Sequence, residues 1–454
     1  MRRNEKILGR TLIFFTAVAI SFCQSYSLND CVNIALENKR TILSATLGVK
    51  SAKKGLSGSF NNVLPNISFN ANNSRTNFPE RTSISGINVN LSEFSLDTIY
   101  NKVDHYSNVS TGLSLNQILY NGGRNLNQIR QAKLNLEKAK LNERLIKIQV
   151  IQRVIRSYYN LFQAQELFDV ADKNLEMSNQ QVELVEKQFK LGAVKKTDLL
   201  KAQVAQGQAK VDLLNKKTNL ANSRRVLFND MGLQDFGQEI SVSEKKWTLK
   251  TIPSSSELLN GLKDRNPSLL ISEKQTELTN YNYKLIKGLR FPSINSSINY
   301  SANSSELNSI SDAIRDDWSL GINFSISIPI YTGNSLLMQQ QQAEISIDQA
   351  EYGYITLLND LRVQAELIRE SLENYSEIIP INESVVLSAE EDLKLVRERY
   401  SLGSATILEV LDAQISLFRS NSTLINSIHN ARIQEANLKA IIGSLDLEYK
   451  VKEN

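Results

Sequence analysis

Residues 189–203 read FKLGAVKKTDLLKAQ, and residues 400–414 read YSLGSATILEVLDAQ. The two stretches align because Gly192 and Gly403 lie 211 positions apart, 403 minus 192. The same offset relates two further pairs, Tyr120 with Tyr331 and Gly232 with Gly443. A long internal repeat indicates that each repeat is a structural unit whose exposed stripes are covered by other repeats.

Long helical patterns precede both glycines. Asn125 to Leu191 contains no proline, and apolar residues recur there at every seventh position, at Leu134, Leu141, Ile148, Ile155 and Phe162. Ser335 to Leu402 has the same pattern, with Ile347, Tyr354, Leu361, Ile368 and Tyr375. These heptads predict helices of about 100 Å that pack against partner helices. Pro380 predicts a kink or a break in the second helix.

Both glycines are predicted to end a helix, because basic residues occupy the turn before each of them. Lys190 precedes Gly192, and Arg399 precedes Gly403. A helical pattern resumes directly after each glycine. The sequence therefore predicts two long helical hairpins with tips at Gly192 and Gly403, in which the heptad residues carry structure rather than chemistry.

The clearest strand pattern lies at residues 318–330. Bulky apolar residues share one face, at Trp318, Leu320, Ile322, Phe324, Ile326, Ile328 and Ile330. The alternate positions are mostly small and polar, so the pattern predicts a strand with a lipid-facing side and a side in a wet lumen. A protomer with four such strands cannot close a barrel, and open sheet edges are not tolerated in lipid. Three protomers would supply 12 strands, an even number in the known range.

The remaining strand patterns are less regular. Residues 66–72 and 109–120 alternate in the first repeat, and a counterpart follows Pro292 in the second. Residues 72–108 are polar without a clear period and are predicted to be a long loop. Pro65 and Pro292 are 227 rather than 211 positions apart, so this loop holds a 16-residue insertion relative to the second repeat. Outer loops of barrels vary in this way.

The N-terminus has the pattern of a secretory signal, since basic residues precede the apolar stretch 11–22. Cleavage is predicted near Ser25, and lipidation at Cys23 is the alternative. Loss of residues 1–25 removes four positive charges and one negative charge, so the net charge falls from +4 to +1. That value argues against a nucleic-acid partner. Cys31 is predicted to be a buried, inert thiol, and two histidines leave little material for catalysis or metal binding.

The leader and the repeats divide the chain into five segments. They are a signal peptide (1–25), a first repeat (26–232), a linker (233–260), a second repeat (261–443) and a C-terminal tail (444–454). The linker includes the strand-like sequence VSEKKWTLK. Linker and tail are predicted to form a small mixed belt around the hairpins.

Taken in order, QILYNGG, FKLGAVKKTDLLKAQ, SIPIYTG and YSLGSATILEVLDAQ resemble the TolC family of outer-membrane efflux proteins. The resemblance covers about residues 27–445. It implies a mixed α/β membrane protein, a homotrimer whose 12-stranded antiparallel β-barrel lies in the outer membrane of a Gram-negative bacterium. A 12-helix periplasmic α-barrel would continue it, with four strands and two long helical hairpins from each protomer.

The resemblance also implies a function. The protein would be a passive, gated channel-tunnel, the exit duct of a tripartite efflux pump or a type I secretion system, with no enzymatic activity and no cofactor or metal. Its partners would be outer-membrane lipid, a periplasmic adaptor and an inner-membrane pump of the RND or ABC type. The hairpin tips, at Gly192, Lys195, Lys196 and Gly403, would contact the adaptor.

The family's periplasmic entrance corresponds to Thr197, Asp198, Tyr400, Glu409 and Asp412. The resemblance implies that Tyr400 bonds to Asp198. Where the family has an arginine two residues after the second tip glycine, this chain has Ala405. Closure is therefore expected to depend on Tyr400 with Asp198, or on the tip lysines.

Alternatives remain open at several of these residues. Glu409 lies three residues after Thr406 and fits a helix capping box. With Asp412 one turn further on, three-fold symmetry would instead gather both carboxylates into a ring that binds multivalent cations. Lys195 and Lys196 are either solvated tip residues or part of a latch.

Two other functions are weaker alternatives. A periplasmic coiled-coil adaptor would need a hairpin but not the strand at 318–330. An exported soluble enzyme would need a cluster of catalytic side chains, which the sequence does not indicate.

Overall fold

A computed structural model describes residues 24–90, 95–233, 240–242 and 252–449. The chain divides into two compact units. We call the first the tip unit, because it contains both hairpin tips; it comprises Met1–Ile42, Ile146–Leu262 and Arg362–Asn454. We call the second the sheet unit, and it comprises Leu43–Leu145 and Lys263–Leu361.

The described residues form six strands and ten α-helices. The strands are β1 (Gln24–Tyr26), β2 (Asn66–Asn90), β3 (Ser95–Asn121), β4 (Ile240–Val242), β5 (Ser293–Ser304) and β6 (Trp318–Ser327). The first five helices are α1 (Leu28–Asn38), α2 (Arg40–Ser59), α3 (Arg124–Lys190), α4 (Lys196–Met231) and α5 (Ser255–Arg265). The others are α6 (Pro267–Gly288), α7 (Ile310–Asp316), α8 (Ser335–Ser401), α9 (Ile407–Ile442) and α10 (Leu445–Glu448).

The helix lengths confirm the internal repeat. Helices α3 and α8 both have 67 residues, and α4 and α9 both have 36. Helices α1 and α5 both have 11 residues, and α5 begins 227 positions after α1. The same distance separates Pro65 from Pro292. Helix α5 begins at Ser255, inside the segment predicted to be a linker, so the repeated pattern starts earlier in the second repeat than expected.

The sheet unit holds a four-stranded antiparallel sheet in the order β2-β3-β5-β6. The prediction of a loop over residues 72–108 is wrong, because β2 and β3 extend through most of it as one long hairpin. Their pairing runs from Asn66 opposite Asn116 to Asn90 opposite Ser95, with two register shifts. Backbone hydrogen bonds hold this ladder, and they need no alternation of polar and apolar side chains.

Strand β6 carries the predicted apolar face. All of its residues are exposed in the protomer, including Phe324 at 71% and Ile326 at 67%. The strand ends at Ser327, however, so Ile328 and Ile330 lie beyond it and the predicted strand was too long. Pro329 follows Ile328 and lacks the N–H that a continuing ladder requires.

Helix α8 continues through Pro380, so the chain does not break there, and the alternative of a kink stays a prediction. A proline removes one backbone hydrogen bond, and the turns on either side keep theirs. Two residues further on, the Asn382 side-chain amide donates to the Ser427 hydroxyl of α9 at 3.1 Å. This contact ties α8 to the other helix of its own hairpin close to the proline.

A buried cluster in the tip unit joins α1 to the helices of the first repeat. Its fully buried members include Cys31, Val154, Tyr158, Leu227 and Phe228. Cys31 is buried, as predicted, and burial raises the pKa of its thiol to about 12. None of the described helices combines the length and the apolar character needed to cross a membrane.

The predicted belt around the hairpins stays a prediction. Strand β1 pairs in parallel with β4, which lies in the predicted linker. The remainder of VSEKKWTLK and the last residues of the tail lie outside the described residues, as does the signal peptide apart from Gln24 and Ser25. Those two residues belong to β1, so the strand pairing includes residues that the predicted cleavage would remove.

Candidate gate at the hairpin tips

The two tips have the same backbone. Gly192 and Gly403 adopt φ angles of 73° and 76°, a left-handed conformation that suits glycine. After the first, the Ala193 N–H donates to the Gln188 carbonyl at 2.9 Å. After the second, the Ser404 N–H donates to the Arg399 carbonyl at the same distance. Each glycine therefore ends its helix in a Schellman-type cap, as the sequence predicts.

The first tip starts its second helix with a carboxylate. Asp198 lies in the first turn of α4, and its carboxylate accepts a hydrogen bond from the Lys195 backbone N–H at 3.3 Å. A negative charge at this end of a helix is favourable, because it compensates free N–H groups and the helix dipole. Thr197, Lys195 and Lys196 are exposed beside it.

The second tip starts its second helix with a complete capping box. The Glu409 N–H donates to the Thr406 hydroxyl at 3.3 Å, and the Glu409 carboxylate accepts from the Thr406 N–H at 3.0 Å. Hydrogen bonds from Thr406 lower the pKa of Glu409. The backbone N–H of Thr406 has the larger effect and its hydroxyl the smaller. The capping interpretation of Glu409 is therefore confirmed, whereas its place in a carboxylate ring stays a prediction.

Arg399 contacts the second tip, although the family pattern places its arginine at position 405. The Arg399 guanidinium lies 3.5 Å from the Glu409 carboxylate and donates to the Ser404 carbonyl at 3.2 Å. Arg399 lies before the glycine, whereas Ala405 occupies the family's arginine position after it. A basic residue in the last turn of α8 was the available signal, and the chain reversal brings it to Glu409.

Tyr400 lies between the tips, but its partner differs from the expected one. Its hydroxyl donates to the Gln188 side-chain oxygen at 2.9 Å, and the ring is buried. Burial raises the pKa of Tyr400, and the negative charge of Asp198 adds to that rise. The carboxylate of Asp198 is bonded to Lys195 instead, so within one protomer the expected Tyr400–Asp198 bond is replaced by Tyr400–Gln188.

One apolar cluster lies beneath both tips. It is formed by Val185, Ala202, Leu393, Val396, Tyr400, Ile407, Val410, Leu411 and Ala413. These residues come from α3, α4, α8 and α9, so both hairpins contribute to it. Such shared burial holds the two tips in one arrangement.

A buried polar contact lies close to the tips and was not predicted. The Gln414 side-chain amide donates to the Asn174 side-chain oxygen and to the Ser178 hydroxyl, both at 2.9 Å. Gln414 is 3% exposed. Its counterpart in the first repeat, Gln203, is exposed. The shared AQ ending of the two motifs was the only sequence signal, and it did not distinguish the two glutamines.

Asp412 is exposed on α9, close in sequence to Glu409. Among the residues that the structure describes, no three or more His, Cys, Asp or Glu side chains come together as a metal site. The tips thus bring together caps, an ion pair, a tyrosine bond and an apolar cluster. This arrangement holds the helix ends in place.

Comparison with known proteins agrees with this architecture. The family described as "Outer membrane efflux protein" matches residues 31–233 and 258–444. The outer membrane protein TolC of Vibrio cholerae is 24% identical over 435 residues, covering 92% of this chain and 91% of that protein. The cation efflux system protein CusC of Escherichia coli K12 is 25% identical over 342 residues, covering 74% of this chain and 72% of that protein.

Solved structures show the same fold. A CusC crystal structure superposes with a TM-score of 0.79 at 22% identity and covers 93% of both chains. A membrane protein of Pseudomonas aeruginosa also gives 0.79, at 20% identity, with 93% of this chain and 91% of that chain covered. The predicted protomer of four sheet strands and two long helical hairpins is confirmed, as is the location in the outer membrane of a Gram-negative cell. The chain belongs to the outer membrane efflux protein family.

Proposed function

We propose that three protomers form a passive exit duct that spans the outer membrane and continues into the periplasm. The observation that supports the proposal is the pair of open edges of the four-stranded sheet.

Among the described residues, β2 pairs with β3 alone and β6 with β5 alone, so two sheet edges stay open. Open edges and the exposed apolar residues of β6 are unfavourable in one isolated protomer. Pairing β2 of one protomer with β6 of the next closes a 12-stranded barrel whose apolar face contacts lipid, with Trp318, Leu320, Ile322, Phe324 and Ile326 outward.

The helices of the proposed assembly form its periplasmic part. Four long helices per protomer supply 12 helices to an α-barrel. Equal helix lengths in the two repeats support this arrangement, because α3 with α4 and α8 with α9 can then take equivalent places around one axis. A coiled-coil adaptor would need similar hairpins but would have no use for the exposed face of β6.

The proposed gate is the entrance at the tips. Thr197, Asp198, Tyr400, Glu409 and Asp412 would line or latch it, with the Tyr400–Gln188 bond and the Arg399–Glu409 contact favouring closure. In a trimer, Glu409 and Asp412 would repeat three times and attract cations to the constriction. Opening requires each protomer to give up those polar contacts, so a partner that binds the tips can favour the open state.

The partners in this proposal are a periplasmic adaptor and an inner-membrane pump, of the RND or ABC type. The exposed tip residues Gly192, Lys195, Lys196 and Gly403 would contact the adaptor. CusC is named a cation efflux system protein, and membership of the same family supports export as the task of this chain. The pump would supply the energy and select the substrate, and this protein would catalyse no reaction.

The proposal is tested by the cellular location of the protein and by its conductance in lipid bilayers. Outer-membrane fractions should contain a trimer that dissociates to monomers on heating in SDS, and the purified trimer should form channels in planar lipid bilayers. An unheated sample of the same fraction serves as the control for dissociation. Recovery of the protein as a monomer in the soluble periplasmic fraction would overturn the proposal.

A further inference from the structure

Helix α7 lies against the apolar face of the sheet. Tyr300 pairs with Leu320 in the β5–β6 ladder, and Ala302 pairs with Trp318. Paired residues of a ladder lie on one face, so Tyr300 and Ala302 share the apolar face of β6. The Tyr300 hydroxyl donates to the Ile314 carbonyl of α7 at 2.6 Å, and α7 contacts β3, β5 and β6. The helix therefore packs on the side of the sheet that is proposed to contact lipid.

The helix covers this face at the end where β5 leads into β6. Ala302 is fully buried there, and Val109, on the same face of β3, is 6% exposed. Ala313 of α7 is buried as well. This end is opposite to the one at which α6 enters β5, because α7 joins the last residues of β5 to the first residues of β6. In the proposed barrel it is the outer end.

An aromatic pair lies beside α7. The Tyr300 and Trp318 rings are stacked, with their centroids 5.7 Å apart and an interplanar angle of 27°. Trp and Tyr are enriched where a membrane meets water. Trp318 begins the apolar row of β6, and Ile326 lies eight positions further on, 326 minus 318. That separation is about 27 Å along a strand and about 20 Å across a membrane at a tilt of about 40°. Since barrels present an apolar band of about 25 Å to lipid, the aromatic pair lies at the outer edge of the band.

The two sides of α7 differ in character. Ile314 is apolar and 42% exposed, whereas Asp312 is an exposed carboxylate that lies 3.3 Å from the Arg315 guanidinium. Ile314 and Asp312 are about 200° apart around the helix, on either side of the buried Ala313. An apolar side chain is unfavourable in water, and a carboxylate is unfavourable in hydrocarbon. Both are accommodated where a helix lies along the boundary between headgroups and acyl chains.

We propose that α7 is an interfacial helix at the headgroup boundary of the outer leaflet, with Ile314 towards the acyl chains and Asp312 towards water. The occupant of this surface is membrane lipid, because α7 continues the apolar face of β6 past the aromatic pair. The β2–β3 hairpin beyond Val109 then extends outside the membrane. The inference rests on the proposed duct and specifies the level at which it meets the outer leaflet.

The experiment measures the depth of labelled cysteines in lipid. Bimane is attached to one introduced cysteine at a time, in Ile314→Cys, Asp312→Cys, Ile322→Cys or Asn323→Cys, and the full-length trimers are reconstituted into phosphatidylcholine vesicles. Spin-labelled lipids that carry the nitroxide near the headgroup or deep in the acyl chain quench bimane at the matching depth. Both leaflets contain these lipids, so the direction of insertion does not affect the result. The unsubstituted chain measures labelling of the native cysteines, of which Cys31 is buried.

The shallow nitroxide should quench the label of Ile314→Cys about threefold more than the deep nitroxide does. Asp312→Cys is the matched control on the same helix, and the shallow nitroxide should quench its label about threefold less than that of Ile314→Cys. Equal quenching at the two positions would overturn the proposal. Stronger quenching of the Ile314→Cys label by the deep nitroxide would also overturn it, because α7 would then lie within the hydrocarbon.

The two β6 variants distinguish a failure of this inference from a failure of the proposed function. Ile322 is exposed on the apolar row, and Asn323 is exposed on the other face of the strand. If the deep nitroxide quenches Ile322→Cys but not Asn323→Cys, the barrel lies in lipid, and a failure at Ile314→Cys concerns α7 alone. If neither β6 label is quenched, the proposed duct itself is wrong. Heat-dissociable trimer from each variant shows that the substitution has not disturbed assembly.

Discussion

The two hairpin tips have one backbone and two different chemistries. Both turn at a left-handed glycine, and both begin their second helix with an acidic residue, Asp198 or Glu409. At the first tip, the start of α4 is capped by a single hydrogen bond, from the Lys195 N–H to the Asp198 carboxylate. The second uses a full capping box and adds Arg399, and its Gln414 is buried where Gln203 of the first is exposed. Repetition thus reproduces the path of the chain, whereas the side chains make the second tip the more firmly held of the two.

Gln414 is expected to show the largest difference between the tips. Gln414→Ala removes a buried donor and leaves Asn174 and Ser178 without it, at a cost of about 2 kcal/mol. Local opening should then increase about 30-fold, measured by hydrogen–deuterium exchange of peptides spanning residues 170–185. Gln203→Ala is the matched control and should change exchange little. Equal effects of the two substitutions would contradict the difference between the tips.

Tyr400→Phe should loosen the proposed gate. The substitution removes the bond to Gln188, worth about 1 kcal/mol, so the ratio of open to closed channels should rise about fivefold. Single-channel recordings in planar bilayers measure this ratio. Asp198→Ala should have a smaller effect, because Asp198 bonds to the start of its own helix. A larger effect of Asp198→Ala would favour a direct Tyr400–Asp198 latch in the assembled protein.

Thr406→Ala should weaken the second tip by about 1 kcal/mol, the usual loss when a helix loses its capping side chain. Lys195→Ala, at the equivalent position of the first tip, should have almost no effect, since Lys195 contributes its backbone N–H to the cap. Amide exchange at residues 407–410 and 196–199 distinguishes the two results. Comparable losses at both positions would show that the caps are equivalent.

The smallest expected effect is a response of the second tip to acid. The pKa of Glu409 is lowered by its bonds to Thr406. The stability that its ionised carboxylate gives to the second tip is therefore fully present above the ordinary glutamate pKa of about 4.3. It is lost as pH falls below that value through the lowered pKa. Opening of the proposed gate should therefore become more frequent as the pH falls below about 4.3. In Glu409→Gln this acid response should be absent, and its persistence there would exclude Glu409 as the cause.

The sequence by itself determined the repeat, the glycine turns and the burial of Cys31. Heptads and alternating residues are local periods, so they predict which side of a helix or strand is covered. The equal lengths of α3 with α8 and of α4 with α9 follow from the same offset that aligns Gly192 with Gly403. The capping role of Glu409 was also available, because Thr406 and Glu409 have the spacing that a capping box requires.

The tertiary structure alone decided which side chains meet. Arg399 reaches Glu409 because the chain reverses at Gly403, and Tyr400 selects Gln188 because α3 and α8 lie side by side at the tips. The long β2–β3 hairpin was missed because a ladder of backbone bonds leaves no period in a polar sequence. The periodic spacing of apolar residues predicts which face of a helix or strand a residue occupies. The residue that it contacts there depends on how elements distant in sequence pack together.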